Sequence, residues 1–274
     1  MTENDVSVEN LKRLAGCTPI PNILITGPSG AGKTFTVERI LQHYASYCVI
    51  NSSSMADFDS LITFIVEAGK QNPNHKNVVL AIDEIHGLKK QLIVALLTLA
   101  EKKKLIQKDK QGNLINYVLD NPHRHRSFAF WGMTTNEERL FKPLRNRFLP
   151  VYFQLPVPAD KHKFLSENNI YASEREFRVF CDSTVSFRDM AQIIGVYRSL
   201  GGDLTKAMGL LGYDESGLST KEREYLKYLK AYHTASIETI AACMSMDAKS
   251  AADIERNLIR KGKLTKSSAG RTVK

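Results

Sequence analysis

The stretch Gly27-Pro28-Ser29-Gly30-Ala31-Gly32-Lys33-Thr34 limits the fold more than any other part of the chain. It joins an apolar run, Asn22 to Thr26, to Lys33–Ser46, where Val37, Ile40, Leu41 and Tyr44 recur at helical spacing. A buried strand, a Gly-rich loop and a helix are predicted in that order. Glycines let the loop curl with its amides pointing inward, and the positive end of the helix adds to their pull on an anion. Such a loop cradles a phosphate chain, so Gly27, Ser29, Gly30, Ala31, Gly32, Lys33 and Thr34 are candidate ATP-binding residues. Lys33 is placed to reach the β- and γ-phosphates, and the Thr34 hydroxyl to bind Mg²⁺.

Strand and helix signals alternate after the loop. Tyr47–Asn51, Val78–Asp83, Phe128–Thr134 and Tyr152–Leu155 read as strands, with helices at Phe58–Ala68 and Leu88–Lys103. This alternation predicts an α/β fold, a parallel sheet with helices on both faces. One polar excursion, Leu105–Leu119, reads as an inserted hairpin turning at Asp109-Lys110-Gln111-Gly112-Asn113. It is either a surface excursion or a docking device for a protein partner.

The second half of the chemistry lies at the strand ends. Asp83 ends an apolar run beside the loop, where it can hold Mg²⁺, and Glu84 next to it can orient and polarise an attacking water. His86 is either structural or couples nucleotide state to movement. In Trp131–Asn136 a polar tip faces the γ-phosphate, Thr135 being the first choice and Asn136 the second. Arg145 and Arg147, between apolar anchors, suit a cation held toward a neighbour's phosphate. Arg188 opens a helix from which it could touch the same nucleotide. His123-Arg124-His125-Arg126 is either a solvated turn or part of a DNA path.

Beyond Pro158 the strand signal stops. Helices are predicted at Asp160–Asn168, Glu174–Cys181, Phe187–Leu200 and Leu204–Leu211, then a linker at Gly212–Gly217. Helices at 220–232, 236–244 and 248–261, a strand at Lys263–Lys266 and a short return strand make a winged helix. Three domains are expected: a nucleotide-binding domain 1–157, a helical lid 158–216 and the winged helix 217–274. The formal net charge is +9, and residues 249–274 hold eight cations against two acids. That local excess points to a phosphate backbone as partner, with Arg260, Lys263, Lys266 and Arg271 as candidate DNA contacts. The four cysteines show no paired spacing, and neither a signal peptide nor a membrane span is legible. A reducing, cytoplasmic setting is expected.

The phosphate loop, Asp83-Glu84-Ile85-His86, the Thr134-Thr135-Asn136 strand end and Pro143–Phe148, in this order, resemble the AAA+ ATPases. Within them the chain is similar to the RuvB family of Holliday-junction branch-migration motors. Ala207–Leu226 and Asn257–Arg271 extend the likeness into the C-terminal region. The resemblance implies a ring, a hexamer, with nucleotide at subunit interfaces. It makes Arg145 the finger acting in trans, Thr135 the first sensor and Arg188 the second. It also implies duplex or four-way-junction DNA as substrate, and a protein partner at the hairpin 105–119. The N-terminal segment lacks the family's Leu-Arg-Pro entry and the hairpin sequence differs, leaving the adenine contacts and the hairpin's partner open. A clamp or helicase loader, and a regulator whose ATPase sets only assembly state, are the competing readings.

Overall fold

In a computed structural model of the protein, residues 1–108, 114–119, 126–232, 236–267 and 270–273 are described. The expected hairpin turn at 109–113 and His123-Arg124-His125 lie outside them. Two compact units follow one another along the chain, residues 1–155 and 156–274.

The first unit runs α1 (Glu3–Ala15), β1 (Ile23–Thr26), α2 (Lys33–Tyr44), β2 (Ser46–Asn51), α3 (Phe58–Lys70), β3 (Asn77–Asp83) and α4 (Lys90–Lys102). It continues with β4 (Lys104–Lys108), β5 (Leu114–Val118), β6 (Ser127–Thr134), α5 (Lys142–Arg145) and β7 (Leu149–Tyr152). Five strands form a sheet in the order β2-β3-β6-β1-β7, and every pairing is parallel. Strand side chains alternate between faces, and the sheet uses both. Leu80, Ile82, Phe128 and Phe130 enter one core with α3 and α4, whereas Val79, Ala81, Ala129 and Trp131 enter another with α1 and α2. Trp131 is fully buried and its indole N–H donates to the Pro21 carbonyl at 3.2 Å. β4 and β5 form the separate antiparallel hairpin expected from the sequence.

Two differences from the sequence reading lie at one edge of the sheet. The closing strand is Leu149–Tyr152 rather than Tyr152–Leu155, and its residues are mostly exposed. It pairs with β1 alone, and an edge position tolerates Pro150, which has no N–H to donate to a ladder. The helix α1 was not foreseen. Its buried Asn4 exchanges two hydrogen bonds with the Gln154 backbone, at 3.2 and 2.9 Å, and Ser7 donates to the Tyr152 carbonyl. Polar groups of α1 thereby satisfy backbone at and just beyond the edge strand.

The second unit holds two apolar cores. Helices α6 (Pro158–Glu167), α7 (Glu174–Ser183), α8 (Phe187–Ser199) and α9 (Leu204–Leu210) surround Phe180, Met190 and Ile193. Helices α10 (Thr220–Ala231), α11 (Ile237–Cys243) and α12 (Ala248–Arg260) surround Tyr225, Ile240 and Leu258, with the hairpin β8 (Leu264–Ser267) and β9 (Gly270–Val273) beside them. That is three helices and a two-stranded wing. The segment expected to be a linker is an ordered turn. Asp214 accepts from the Ser216 and Leu218 amides at 2.9 and 3.0 Å, and Gly217 lies so close to α7 that a Cβ there would sit 2.4 Å from that of Asp182. Among the described residues no helix is long and apolar enough to cross a membrane.

Candidate nucleotide and nucleic-acid sites

The loop after β1 is shaped by steric necessity. A Cβ on Gly27 would lie 2.4 Å from the Phe153 carbonyl oxygen, and Gly32 enters α2 with φ 82°. Ordinary side chains resist both demands. Lys33 is buried, and its ammonium donates to the Gly27 and Pro28 carbonyls at 2.7 and 2.9 Å. It thus folds back over the loop it would share with a phosphate. Ala31 is buried in the core beneath the loop, while Ser29 and Gly30 lie on its outer side.

The Thr34 hydroxyl donates to an Asp83 carboxylate oxygen at 3.0 Å, so the two candidate Mg²⁺ ligands already meet. Two oxygen donors, one charged, fit a hard cation that takes its other ligands from phosphate and water. Among the described residues there is no cluster of three or more His, Cys, Asp or Glu that could bind a metal without them.

Glu84 has φ 50° and ψ 45°, the left-handed region, which costs a non-glycine residue about 1–2 kcal/mol. Its surroundings hold it there. Ile85 is buried against Gly132, where a Cβ would come within 2.7 Å of the Ile85 side chain. The Glu84 carbonyl accepts from the Ser52 hydroxyl and the Gly87 amide, both at 2.8 Å. Its carboxylate accepts from the Thr135 amide at 3.2 Å and from the Thr135 hydroxyl at 3.0 and 3.2 Å. The His86 Nδ1 lies 3.2 Å from the same carboxylate and 2.8 Å from the hydroxyl of the fully buried Thr134.

Glu84 and Thr135 are therefore in direct contact. Asn136 instead caps the following turn, accepting from the Arg139 amide at 3.2 Å. Spacing alone did not reveal Thr134 or Ser52. Adjacent threonines cannot be ranked without the strand register, and Ser52 sits in a run of three serines that no motif marks.

The two arginines after α5 begins differ. Arg147 pairs with Glu101 and donates to the Pro143 carbonyl at 3.1 Å, whereas the Arg145 side chain has no hydrogen-bond or ion-pair partner among the described residues. Arg188, in the second unit, is exposed in the first turn of α8, after the Ser186 cap.

The candidate DNA cations also divide. Glu255 is buried on α12 and accepts from Tyr225 at 2.5 Å, Arg271 at 2.5 Å and Lys266 at 3.1 Å. Burial pushes its carboxyl up, but these three hydrogen bonds outweigh burial and hold it below the usual range. Burial first, and Glu255 second, push the Tyr225 phenol upward. Lys266 is 56% exposed and Arg271 only 17%, so Arg271 acts first as a tether of the wing. Lys263 lies 3.5 Å from Asp182 of α7. Arg260 is exposed at the end of α12, without a partner among the described residues. Arg126, weighed as part of a DNA path, donates to three backbone carbonyls, those of His75, Gly69 and Asn72.

Comparison with known proteins agrees with both halves. Residues 23–154 match the ATPase family associated with various cellular activities (AAA), and residues 215–274 match the RuvB C-terminal winged helix domain. The Holliday junction branch migration complex subunit RuvB of Kosmotoga olearia is 25% identical over 92% of this chain and 77% of its own length. Two point variants of Thermotoga maritima RuvB share the fold, each at 19% identity. Their TM-scores are 0.65 and 0.63, over 99% and 98% of this chain and 90% and 89% of theirs. The nucleotide loop and the Asp83-Glu84 pair thus belong to an AAA+ ATPase. With the C-terminal winged helix, the chain is a RuvB-like AAA+ ATPase.

Proposed function

We propose that this chain is a DNA motor that assembles into a ring, a hexamer, hydrolyses ATP and drives duplex DNA so as to migrate the branch of a four-way junction. The observation that carries this reading is the union, in one chain, of an AAA core with a RuvB-type winged helix. The named function of the Kosmotoga olearia relative points the same way. A cytoplasmic location suits that work. The division into a nucleotide domain 1–157, lid 158–216 and winged helix 217–274 assigns each step to a part.

Bound Mg²⁺ would neutralise charge building on the phosphates, held by Thr34 and Asp83. Lys33 exchanges its loop carbonyls for phosphate oxygens. Glu84 orients the attacking water and takes its proton, and Thr135, already in contact with Glu84, faces the γ-phosphate. Arg145 reaches a neighbouring subunit's nucleotide, as its lack of a partner within the described chain allows, and Arg188 contacts the nucleotide from the lid. Arg260 and the half-exposed Lys266 meet DNA phosphates. The hairpin 105–119 offers its exposed Ile106 and Val118 to a protein partner.

The test is steady-state ATP hydrolysis without DNA, with linear duplex and with a four-way junction, for the wild type and Glu84→Gln. The motor predicts strong stimulation by DNA, lost in the variant. A slow rate indifferent to every DNA form would instead favour a clamp or helicase loader.

A further inference from the structure

We propose that Ser52 is a positioning residue for ATP hydrolysis, acting through the main chain of Glu84. This rests on the reading of Glu84 as the residue that activates water. Ser52 directly follows β2, whose last residue, Asn51, pairs with Asp83 at the end of β3. The parallel register therefore brings the next residues, Ser52 and Glu84, side by side. Ser52 is buried, and its hydroxyl donates to the Glu84 carbonyl at 2.8 Å. The same carbonyl accepts from the Gly87 amide, closing the turn that begins at Glu84. A left-handed residue without glycine's freedom persists only where its surroundings over-determine it. Ser52 is the part of that restraint supplied from outside the segment on the main-chain side, while Thr135 and His86 restrain the carboxylate.

Gly87 supports the assignment. It does not have a positive φ, so backbone freedom does not explain a glycine there. Space does: a Cβ at Gly87 would lie 2.6 Å from the Ser52 hydroxyl oxygen. A methyl group would turn that hydroxyl away from Glu84. Two positions on separate segments thus serve one hydrogen bond, and each can be used to remove it.

The experiment compares Ser52→Ala, Ser52→Thr and Gly87→Ala, each alone and combined with Glu84→Gln, in the full chain. It measures kcat at saturating ATP and Mg²⁺, affinity for a fluorescent ATP analogue, and the thermal unfolding midpoint. Misplacing a catalytic group by a fraction of an ångström slows turnover about 10- to 100-fold. Ser52→Ala and Gly87→Ala should each lose that much kcat, with nucleotide affinity and unfolding nearly unchanged, and Ser52→Thr should recover most of it. In the Glu84→Gln background neither should slow the residual rate further, because the residue they position is already disabled. The proposal is overturned if Ser52→Ala keeps wild-type kcat, if affinity falls in step with kcat, or if the losses multiply in the Glu84→Gln background. Should Ser52→Ala not fold, Gly87→Ala decides by the same criteria. A wild-type chain that turned over no ATP would instead remove the hydrolase reading on which this one stands.

Discussion

Glu255→Gln isolates the charge that ties the wing to the winged-helix core, because it keeps the side chain's size. The glutamine can still accept from Tyr225, but it loses two charge-assisted bonds. Arg271 is mostly buried, and its bond is worth about 2 kcal/mol. Lys266 is more than half exposed, and solvent screening leaves its share below about 1 kcal/mol. A loss of about 2 to 3 kcal/mol would lower the unfolding midpoint of this region by roughly 10–20 °C. The pH dependence gives a second signature. The folded carboxyl titrates below its unfolded value of about 4.3. Its stabilisation is therefore complete above that pH and fades as pH falls through the folded value. The gap between wild type and variant, followed by circular dichroism on the full chain, should be widest near neutrality and shrink as acid carries the pH below the unfolded carboxyl's value. Hydrogen exchange should place the loss in β8, β9 and the facing part of α10. Equal midpoints at neutrality, or a gap that acid leaves unchanged, would refute the assignment.

Four other substitutions test the sites. Arg145→Ala should cut DNA-stimulated hydrolysis by about 1,000-fold, and mixing it with Glu84→Gln should restore part of the rate if the arginine acts in trans. Arg147→Ala, which removes an exposed pair with Glu101 and a bond to the Pro143 carbonyl, should change stability by no more than about 1 kcal/mol and leave hydrolysis intact. Gly27→Ala should lower nucleotide affinity and the unfolding midpoint together, since its Cβ meets the Phe153 backbone at 2.4 Å, where no flexible side chain can yield; a calorimetric titration with ATP checks it. Arg260→Glu should weaken DNA binding uniformly across sequences and flatten its salt slope, read from fluorescence anisotropy at several salt concentrations.

The central strands and the phosphate loop were legible because their physics is local. β3 and β6 are buried on both faces, so they read as unbroken apolar runs, and the loop needs glycine at positions fixed by its own curvature. The edge gave less. β7 has one buried residue in four, and the apolar residues of 152–155 supplied a competing pattern just after it. α1 is polar in sequence, and its role depends on Asn4 and Ser7 meeting backbone about 150 residues away. No periodicity within a window reports such a contact.

The site divides along the same line. Lys33, Thr34, Asp83 and Glu84 follow from motif and chain order, yet what holds Glu84 comes from neighbouring strands: Ser52 after β2, Thr135 just past β6, and Thr134 at its end through His86. These neighbours in space are separated in sequence, and only the sheet order β2-β3-β6 brings them to one place. For the winged helix, the sequence counted cations but could not show how each is held. A buried glutamate five residues before Arg260 engages two of the four candidates, and Asp182 lies beside a third. A cation already paired must exchange that partner for phosphate, so its contribution to DNA affinity is the difference between two interactions. Its side chain unpaired among the described residues, Arg260 makes no such exchange. It should therefore carry more of the affinity than Arg271, although a charge count weights them equally.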